Sequence, residues 1–254
     1  MSSSEVDELD RAALGAPLAG MPSWLSRARS CVLREAVARL VAPSIVFVRG
    51  RRRGGRKRVA LTFDDGPSAA TRRCLDVLAD LDVRATFFLV GENAARRPDL
   101  VAEYTRRGHD VGSHGWSHED FRALGASRLT EELGRTWAFI PSGRDAIRLV
   151  RPPRGALSPR ILLKLATSGY VTVLWSVDSD DCRTRDPVAI ARRLSPRRVR
   201  SGDVVLLHET QPWTMRALGP VVRALRAAEY EFATITDLIR RDDELAGCGP
   251  LRAG

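Results

Sequence analysis

The chain alternates short apolar runs with longer segments of helical period over most of its length. This alternation is typical of a mostly parallel sheet whose strands are connected by helices. Ser158 and Asp186, each followed by proline, supply helix start signals, and Gly108 and Gly169 supply stops. The pattern predicts an α/β fold with seven strands, at residues 58–64, 85–91, 109–114, 149–152, 171–178, 203–208 and 231–235. Periodicity alone leaves a closed barrel and a strongly curved open sheet as alternatives.

Titratable residues fall late in these strands, at their carboxyl ends. In chain order they are Asp64 and Asp65 at the first strand, His114 at the third, Arg151 at the fourth, Asp178 at the fifth and His208 at the sixth. In parallel α/β folds the loops after the carboxyl ends of the strands form the functional face. We therefore expect these side chains to converge on one rim of the sheet.

Two short stretches on this rim suggest a metal centre. Neighbouring residues at a strand end point in different directions, so of Asp64 and Asp65 one can bind a metal while the other accepts a proton; an ordinary turn is the alternative. His114 and His118, four residues apart, can reach one ion, although coincidence is the alternative. Two imidazoles and one carboxylate leave open positions for water and substrate on a Zn²⁺ or Fe²⁺ ion. His109, at the start of its strand, is expected to be structural.

The positive charge of the chain is concentrated near its N-terminus. The formal net charge is +10, and residues 27–58 contain 11 Lys or Arg and one Glu, while the rest of the chain carries 30 basic and 30 acidic residues. Any affinity for an anionic partner therefore belongs to this segment. Apolar residues at four-residue spacing predict an amphipathic helix at 24–41. This helix either packs on the outside of the sheet or, with the basic stretch 49–58, binds an anionic membrane surface.

Cysteine usage and the N-terminus bear on location. Four scattered cysteines, without a CxxC pair, are most simply read as reduced thiols. The N-terminal residues are acidic, and the longest uncharged run, 12–26, is interrupted by glycine and proline, so neither a secretory signal nor a spanning helix is expected. The sequence predicts a cytoplasmic protein, with peripheral contact to the inner face of the membrane through residues 24–58 as an extension of that prediction.

Five motifs together carry a resemblance to a known family. In chain order they are TFDDGP, SHGWSH, RPPRG, WSVDSDDC and LLH. They resemble the five motifs of the polysaccharide deacetylase family, also called carbohydrate esterase family 4 or the nodulation-deacetylase homology domain. The resemblance implies an irregular seven-stranded (β/α) barrel at 58–241, preceded by an N-terminal extension at 1–57 and followed by a tail at 242–254. It also implies a hydrolase that removes an N-acetyl or related acyl group from an amino sugar.

The resemblance assigns roles residue by residue. It implies that Asp64 is the general base and that His208 protonates the departing amine. It further implies that Arg151 orients Asp64 and that Asp181 pairs with His208. The metal ligands would be Asp65, His114 and His118, holding a divalent ion for which we expect zinc, with Co, Ni, Mn or Fe as alternatives. The backbone N–H of Arg154 would help to hold the oxyanion.

Two positions depart from the family pattern. Arg154 stands where the family usually has an aromatic residue, and Cys182 stands where it usually has tryptophan. We therefore hypothesise that Arg154 meets an anionic feature of the substrate and that Trp213 supplies a stacking surface, with Pro153 and Leu206 as further substrate-binding residues. For Arg154, exposure to solvent without a role is the alternative. Asp178, Leu206 and Trp175 also match motif positions, and a core or capping role is an equal alternative for each.

Two other functional classes compete with deacetylation. The basic N-terminal segment could make the chain a nucleic-acid or membrane binding protein with an inactive barrel, although a passive scaffold need not retain a full set of base, acid and ligand candidates; no specific nucleic acid is expected as a partner. A non-haem Fe²⁺ oxygenase shares the ligand type but leaves the pairing of Asp64 with Arg151 unexplained. The favoured partner is an N-acetylated amino-sugar substrate.

Overall fold

The computed structural model describes residues 46–47, 50, 56–141 and 146–246. The predicted amphipathic helix at 24–41, most of the basic stretch and residues 247–254 lie outside the described residues. The domain boundaries predicted at 57 and 241 therefore stay predictions. No helix in the described part of the chain is both long enough and apolar enough to cross a lipid bilayer.

The described residues form one curved, parallel sheet. Its nine strands run in the order β1-β6-β5-β4-β3-β2-β8-β7, and β9 pairs with the amino-terminal part of β2. The strands are β1 Val46–Phe47, β2 Lys57–Gly66, β3 Thr86–Leu89, β4 Asp110–Ser113, β5 Arg148–Val150, β6 Tyr170–Val173, β7 Val177–Asp178, β8 Asp203–His208 and β9 Tyr230–Phe232. All of these pairings are parallel, which requires a crossover between successive strands.

Helices supply most of these crossovers. They are α1 Thr71–Asp80, α2 Gly91–Arg96, α3 Pro98–Arg106, α4 Ala126–Trp137, α5 Pro159–Thr167, α6 Pro187–Arg193, α7 Pro212–Ala227 and α8 Ile235–Ala246, with 3₁₀ turns at Phe121–Ala123 and Pro153–Gly155. Two of the predicted starts are capped: the side chain of Ser158 accepts from the N–H of Ile161, and that of Asp186 accepts from the N–H of Val188. Proline then occupies the first turn, where its missing N–H costs no helical bond.

The predicted fold class is confirmed, with corrections to individual strands. The seven predicted strands correspond to β2, β3, β4, β5, β6 with β7, β8 and β9. The fifth predicted strand is interrupted after Val173, because the carbonyls of Val173 and Leu174 accept hydrogen bonds from the Arg151 guanidinium. The seventh is shorter than predicted, because Ile235 already begins α8.

The central strand β2 positions the site. Six consecutive residues of this strand, 59–64, are buried, as expected for a parallel strand covered on both faces. Its register places Asp64 beside His208 of β8 on one side and Phe88 of β3 on the other. The largest apolar cluster packs around Phe63, Phe87 and the inner faces of α1 and α7. Burial of this core fixes the strand ends from which the polar residues project.

Candidate active site

The first strand ends in an irregularity that separates two carboxylates. The pairing of β2 with β3 shifts register between Asp64 and Gly66, and Asp65 adopts a left-handed backbone with φ 73°. Aspartate tolerates this region better than most residues. Asp64 consequently points into the buried interior, whereas Asp65 is about one-third exposed at the rim. The structure therefore gives the two adjacent carboxylates different surroundings, as predicted.

Asp65, His114 and His118 form a three-donor group. Oδ1 of Asp65 lies 3.3 Å from Nε2 of His118 and 3.8 Å from Nε2 of His114. One ligand atom from each residue lies within 4.8 Å of the others. Nδ1 of His114 lies 2.7 Å from the carbonyl oxygen of Arg151, so the proton sits on Nδ1 and the lone pair of Nε2 faces the other two donors. Two imidazoles and a carboxylate in this arrangement suit a divalent ion such as Zn²⁺.

The protonation of His114 suits this arrangement. Burial lowers the pKa of His114, and although the charges of Asp64 and Asp65 raise it, the net shift is downward. The imidazole is therefore held neutral, which is the form that can donate a lone pair to a metal ion.

A buried glutamate, which the sequence did not reveal, fixes the loop of His118. Glu132 on α4 accepts hydrogen bonds from the backbone N–H groups of Trp116, at 2.9 Å, and Ser117, at 3.1 Å. His118 itself has a left-handed backbone, with φ 60°. Glu132 supplies the polar partner that this irregular loop requires. An isolated buried glutamate on a helix carries no sequence signal that points to a loop about 15 residues earlier.

Asp64 is paired with the most deeply buried arginine of the described chain. Nη1 of Arg151, whose side chain is fully buried, donates to Oδ1 of Asp64 at 2.7 Å and to Oγ1 of Thr62 at 2.8 Å. The guanidinium also stacks over the ring of Phe88, 4.1 Å from its centre. Burial by itself raises the pKa of Asp64, but the charges of Arg151, His114 and His208, together with the Arg151 hydrogen bond, outweigh burial, so the pKa lies below its usual value. Asp64 is thus held as a carboxylate.

His208, beside Asp64 at the end of β8, is paired with a buried aspartate. Oδ1 of Asp181 lies 2.7 Å from Nδ1 of His208, while Oδ2 accepts from the His208 backbone N–H and from Oγ1 of Thr214. Burial lowers the pKa of His208, but the hydrogen bonds of Asp181 and Cys182 and the Asp181 charge raise it to about 11. The imidazole is therefore held protonated, with Nε2 as the atom from which it can donate a proton.

A second buried glutamate braces the loop after β2. Glu209 accepts from Oγ1 of Thr71, at 2.5 Å, and from the hydroxyl of Tyr104, at 2.6 Å, and the hydroxyl of Ser68 donates to it at 3.1 Å. A Cβ at Gly66 would stand 2.6 Å from the Tyr104 hydroxyl and 2.8 Å from the Glu209 carboxylate, so only glycine fits. This network links β8, α1 and α3 to the end of β2, which carries Asp65. The sequence did not identify it, because its members are scattered along the chain.

The predicted substrate residues differ in their exposure. Arg154 is exposed and has a left-handed backbone, with φ 58°. The hydrogen bond from Arg122 is the main cause that lowers the pKa of Asp120, and the Arg154 charge also lowers it. Pro153, beside Arg154, is buried. Leu206 is buried in β8. Trp213, at the start of α7, is half-buried, and its Nε1 donates to the carbonyl oxygen of Asp181 at 2.6 Å. Their roles toward a substrate stay predictions, and the Trp213 bond ties that ring to the acid side of the site.

Two further polar residues considered in the sequence make structural contacts. His109 lies at the amino end of β4, where Nδ1 accepts from the Ala85 N–H at 3.1 Å. Burial lowers the pKa of His109 to about 4, so it is held neutral in the interior. This placement agrees with the structural role expected for it. Asp178 ends β7, and its carboxylate accepts from the N–H of Asp180, which is a loop-capping contact.

Comparison with known sequences gives a consistent family. The model of the polysaccharide deacetylase family matches residues 51–173. A peptidoglycan-N-acetylglucosamine deacetylase of Bacillus cereus is 31% identical over 72% of this chain and 89% of its own length. One from Listeria monocytogenes is 32% identical over 72% of this chain, and the match spans 39% of that longer protein.

Solved structures agree with the sequence comparisons. A family 4 carbohydrate esterase from Streptomyces lividans, in complex with acetate, is 31% identical, with a TM-score of 0.66 over 70% of this chain and 93% of that chain. A mutant of a family 4 pseudoenzyme with restored enzymatic activity is 27% identical, with a TM-score of 0.70 over 77% of this chain and 71% of that chain. The predicted seven-stranded barrel and the predicted class, hydrolases of amide bonds in N-acetyl sugars, are confirmed at the level of the family. This chain belongs to the polysaccharide deacetylase family, carbohydrate esterase family 4.

Proposed function

We propose that this chain is an active, metal-dependent deacetylase that removes the N-acetyl group from an amino sugar. Family membership alone does not establish activity, since the family includes a pseudoenzyme. The observation that carries the proposal is that two groups of the same site each contact a buried partner of opposite charge. Asp64 is held as a carboxylate by Arg151 and His208 as an imidazolium by Asp181. A base and an acid with pKa values driven apart are what amide hydrolysis requires.

Asp65, His114 and His118 would hold the divalent ion. When bound, such an ion polarises an oxygen ligand and lowers the pKa of a coordinated water. Zinc is the ion we expect, because nitrogen and carboxylate donors with open positions suit a hydrolytic zinc site. Co, Ni, Mn and Fe fit the same donors less selectively.

Asp64 would accept the proton of the attacking water. Oδ1 of Asp64 is engaged by Arg151, which leaves Oδ2, 3.6 Å from Nε2 of His114, to take that proton. Arg151 cannot rotate away, since the carbonyls of Val173 and Leu174 and the hydroxyl of Thr62 hold the guanidinium as well. The pair therefore fixes both the charge and the direction of the base.

His208 would supply the proton that the departing amine needs. Without it, the tetrahedral intermediate would revert, because an amide anion is a poor leaving group. The backbone N–H of Arg154, on the turn after β5, is our candidate for a donor to the oxyanion. Each group thus acts at a different atom of the scissile amide: Asp64 on the nucleophile, Arg154 on the oxygen and His208 on the nitrogen.

The substrate class follows from the relatives and from the rim. Peptidoglycan-N-acetylglucosamine deacetylases among the relatives point to N-acetylglucosamine or a similar sugar. The exposed Arg154 favours a substrate with an anionic group near the reacting sugar, and Trp213 offers a partly exposed aromatic face. Cytoplasmic location, membrane contact through residues 24–58 and the absence of a specific nucleic-acid partner stay predictions.

Acetate release is the test of the proposed function. Zinc-loaded protein should release acetate from N-acetylglucosamine oligomers or peptidoglycan fragments in the absence of O₂. Asp64→Asn should retain its zinc and lose about 10²–10⁴-fold in kcat, as expected for removal of a general base. His114→Ala should lose both metal and activity. Equal metal loss in the two variants would refute the division of labour between base and ligands, and an absolute need for O₂ would favour an oxygenase.

A further inference from the structure

A second group of metal-ligating side chains lies on the acid side of the site. Asp181, Cys182 and His208 each offer a ligand atom, and these atoms lie within 4.8 Å of one another. Sγ of Cys182 is 3.2 Å from Nδ1 of His208, and Oδ1 of Asp181 is 2.7 Å from the same nitrogen. The thiol is exposed, so an ion from solvent can reach it.

The spacing of these donors is close to that of a tetrahedral zinc site. Zinc distances of roughly 2.0–2.1 Å to N or O and 2.3 Å to S place neighbouring donors about 3.4–3.6 Å apart. To reach these values, the 3.2 Å between Sγ of Cys182 and Nδ1 of His208 would need to widen by about 0.4 Å, and the 2.7 Å between Oδ1 of Asp181 and Nδ1 by about 0.7 Å. The flexible, exposed side chain of Cys182 can supply part of this movement.

The contacts around Asp181 already hold it as a ligand. Its Oδ2 accepts from Oγ1 of Thr214 at 2.6 Å and from the His208 backbone N–H at 2.8 Å, which leaves Oδ1 directed at Nδ1. Its carbonyl is fixed in addition by the indole of Trp213. Outer contacts of this kind orient a ligating carboxylate without occupying the oxygen that binds the metal.

We propose that Asp181, Cys182 and His208 form a second site, for a thiophilic divalent ion such as Zn²⁺, and that its occupation inhibits the enzyme. The ion replaces the proton on Nδ1 of His208, and the Cys182 thiol becomes a thiolate, so two protons pass to solvent for each ion bound. His208 then keeps only its Nε2 proton and is no longer an imidazolium. The binding rests on geometry alone, whereas the inhibition rests on the proposed role of His208 as the acid.

The sulfur ligand distinguishes the two sites. The first group, Asp65, His114 and His118, offers nitrogen and oxygen only, whereas a thiolate favours soft or borderline ions. Cobalt bound to a thiolate shows a near-ultraviolet charge-transfer band that cobalt at a nitrogen and oxygen site lacks. This band therefore reports the second site even when both sites are filled.

Cobalt and zinc titrations test the proposal. A Cys31→Ser/Cys248→Ser parent removes the thiols that lie outside the described residues, while Cys74 is buried in the core. The parent should bind two Co²⁺ ions, the second with a charge-transfer band. Cys182→Ser in this background should bind one ion without the band, and Asp65→Asn should keep the band while it weakens the first ion. These readouts hold whether or not acetate release is observed.

Inhibition is measured separately. Zinc beyond one equivalent should inhibit acetate release by the parent. For each protein, inhibition is measured relative to its own rate without added zinc. The zinc concentration for half-inhibition should be at least about tenfold higher for Cys182→Ser than for the parent, because loss of even an outer contact to a metal ligand costs about that factor in affinity. A parent that binds one ion, or a band that persists in Cys182→Ser, would overturn the second site. Equal zinc inhibition of both proteins would overturn its inhibitory role.

Discussion

The site has a base side, formed by Asp64 and Arg151, and an acid side, formed by His208 and Asp181. On each side a buried partner of opposite charge sets the protonation of the group that takes part in the proposed chemistry. On the base side, the buried arginine Arg151 faces Asp64 and keeps that carboxylate ionised. On the acid side, the buried aspartate Asp181 faces His208 and keeps that imidazole protonated. In both pairs, the partner is almost completely buried. The comparison indicates that each group keeps its charged form because a buried partner of opposite charge offsets the effect of burial.

The two sides differ in how much of the pair is out of water. Arg151 and Asp64 have side-chain exposures of 0% and 5%, whereas His208 is 15% exposed above an Asp181 that is 1% exposed. A fully buried pair is strongly destabilised when one partner is removed, because the other charge stays in the interior. A pair with one member at the rim loses less, since water can solvate the exposed member. Substitutions in the two pairs should therefore differ in their effect on stability.

Removal of the arginine should have the largest effect on stability. Arg151→Met leaves Asp64 buried without its counter-charge, and we expect a loss of about 3–5 kcal/mol in the free energy of unfolding. Urea denaturation measures it. Arg148→Met, at an exposed position three residues earlier at the start of β5, is the matched control and should change stability by no more than about 0.5 kcal/mol. If the two variants unfold alike, the buried pair does not stabilise the site as argued.

On the acid side, Asp181→Asn should act mainly on the pH profile. Loss of the carboxylate charge lowers the pKa of His208 from about 11. As pH rises, His208 in the variant therefore loses its proton at a lower pH than in the wild type. The alkaline limb of kcat/KM should therefore move to lower pH, with a drop in kcat of roughly 10–100-fold at pH 9. A variant whose alkaline limb coincides with that of the wild type would show that Asp181 does not set the protonation of His208.

The same pair should make a pH-dependent contribution to stability. The folded pKa of His208, about 11, lies above its unfolded value of 6.5, so the contribution is complete below pH 6.5 and is lost as pH rises toward 11. The difference in Tm between wild type and Asp181→Asn should therefore be larger at about pH 6 than at about pH 10. Asp186→Asn, which alters an exposed helix cap, should show a difference that does not vary with pH in this way. The opposite trend for Asp181→Asn would contradict the assigned protonation.

The smallest effect on stability is expected at Thr62, a buried residue that contacts Arg151. Oγ1 of Thr62 accepts from Arg151 and donates to the carbonyl oxygen of Val205. Thr62→Val keeps the volume and removes both bonds, so we expect a loss of about 1–2 kcal/mol in stability. Thr130→Val, on the exposed face of α4, should lose less than half of that amount. If Thr62→Val raised KM while the free energy of unfolding stayed unchanged, Thr62 would act through contact with substrate and not through Arg151.

The sequence predicted the strands and the rim because both have local signals. Apolar runs mark the strands, and the polar residues that follow them mark the functional edge. Asp64 and His208 could be placed side by side once both were known to end neighbouring strands. The interruption after Val173 had no such signal, since it depends on carbonyls that bond to Arg151, more than 20 residues away.

The supporting residues were missed for a related reason. Glu132 and Glu209 act on loops far from them in sequence, and nothing in their local pattern distinguishes a buried carboxylate from a solvated one. The left-handed conformation of Asp65 was equally hidden, because an Asp-Asp-Gly-Pro sequence is compatible with several turns. Burial and backbone geometry, rather than residue type, reveal these roles.

The left-handed backbone at Asp65, His118 and Arg154 implies a trade-off between thermostability and function. Glycine adopts these angles freely, and each non-glycine residue there costs up to about 1–2 kcal/mol. Engineering for heat resistance would therefore select glycine at these three positions. At Asp65 and His118 each such gain would delete a proposed metal ligand, and at Arg154 a side chain proposed to bind substrate, so directed evolution for stability alone should drift toward a well-folded, inactive barrel.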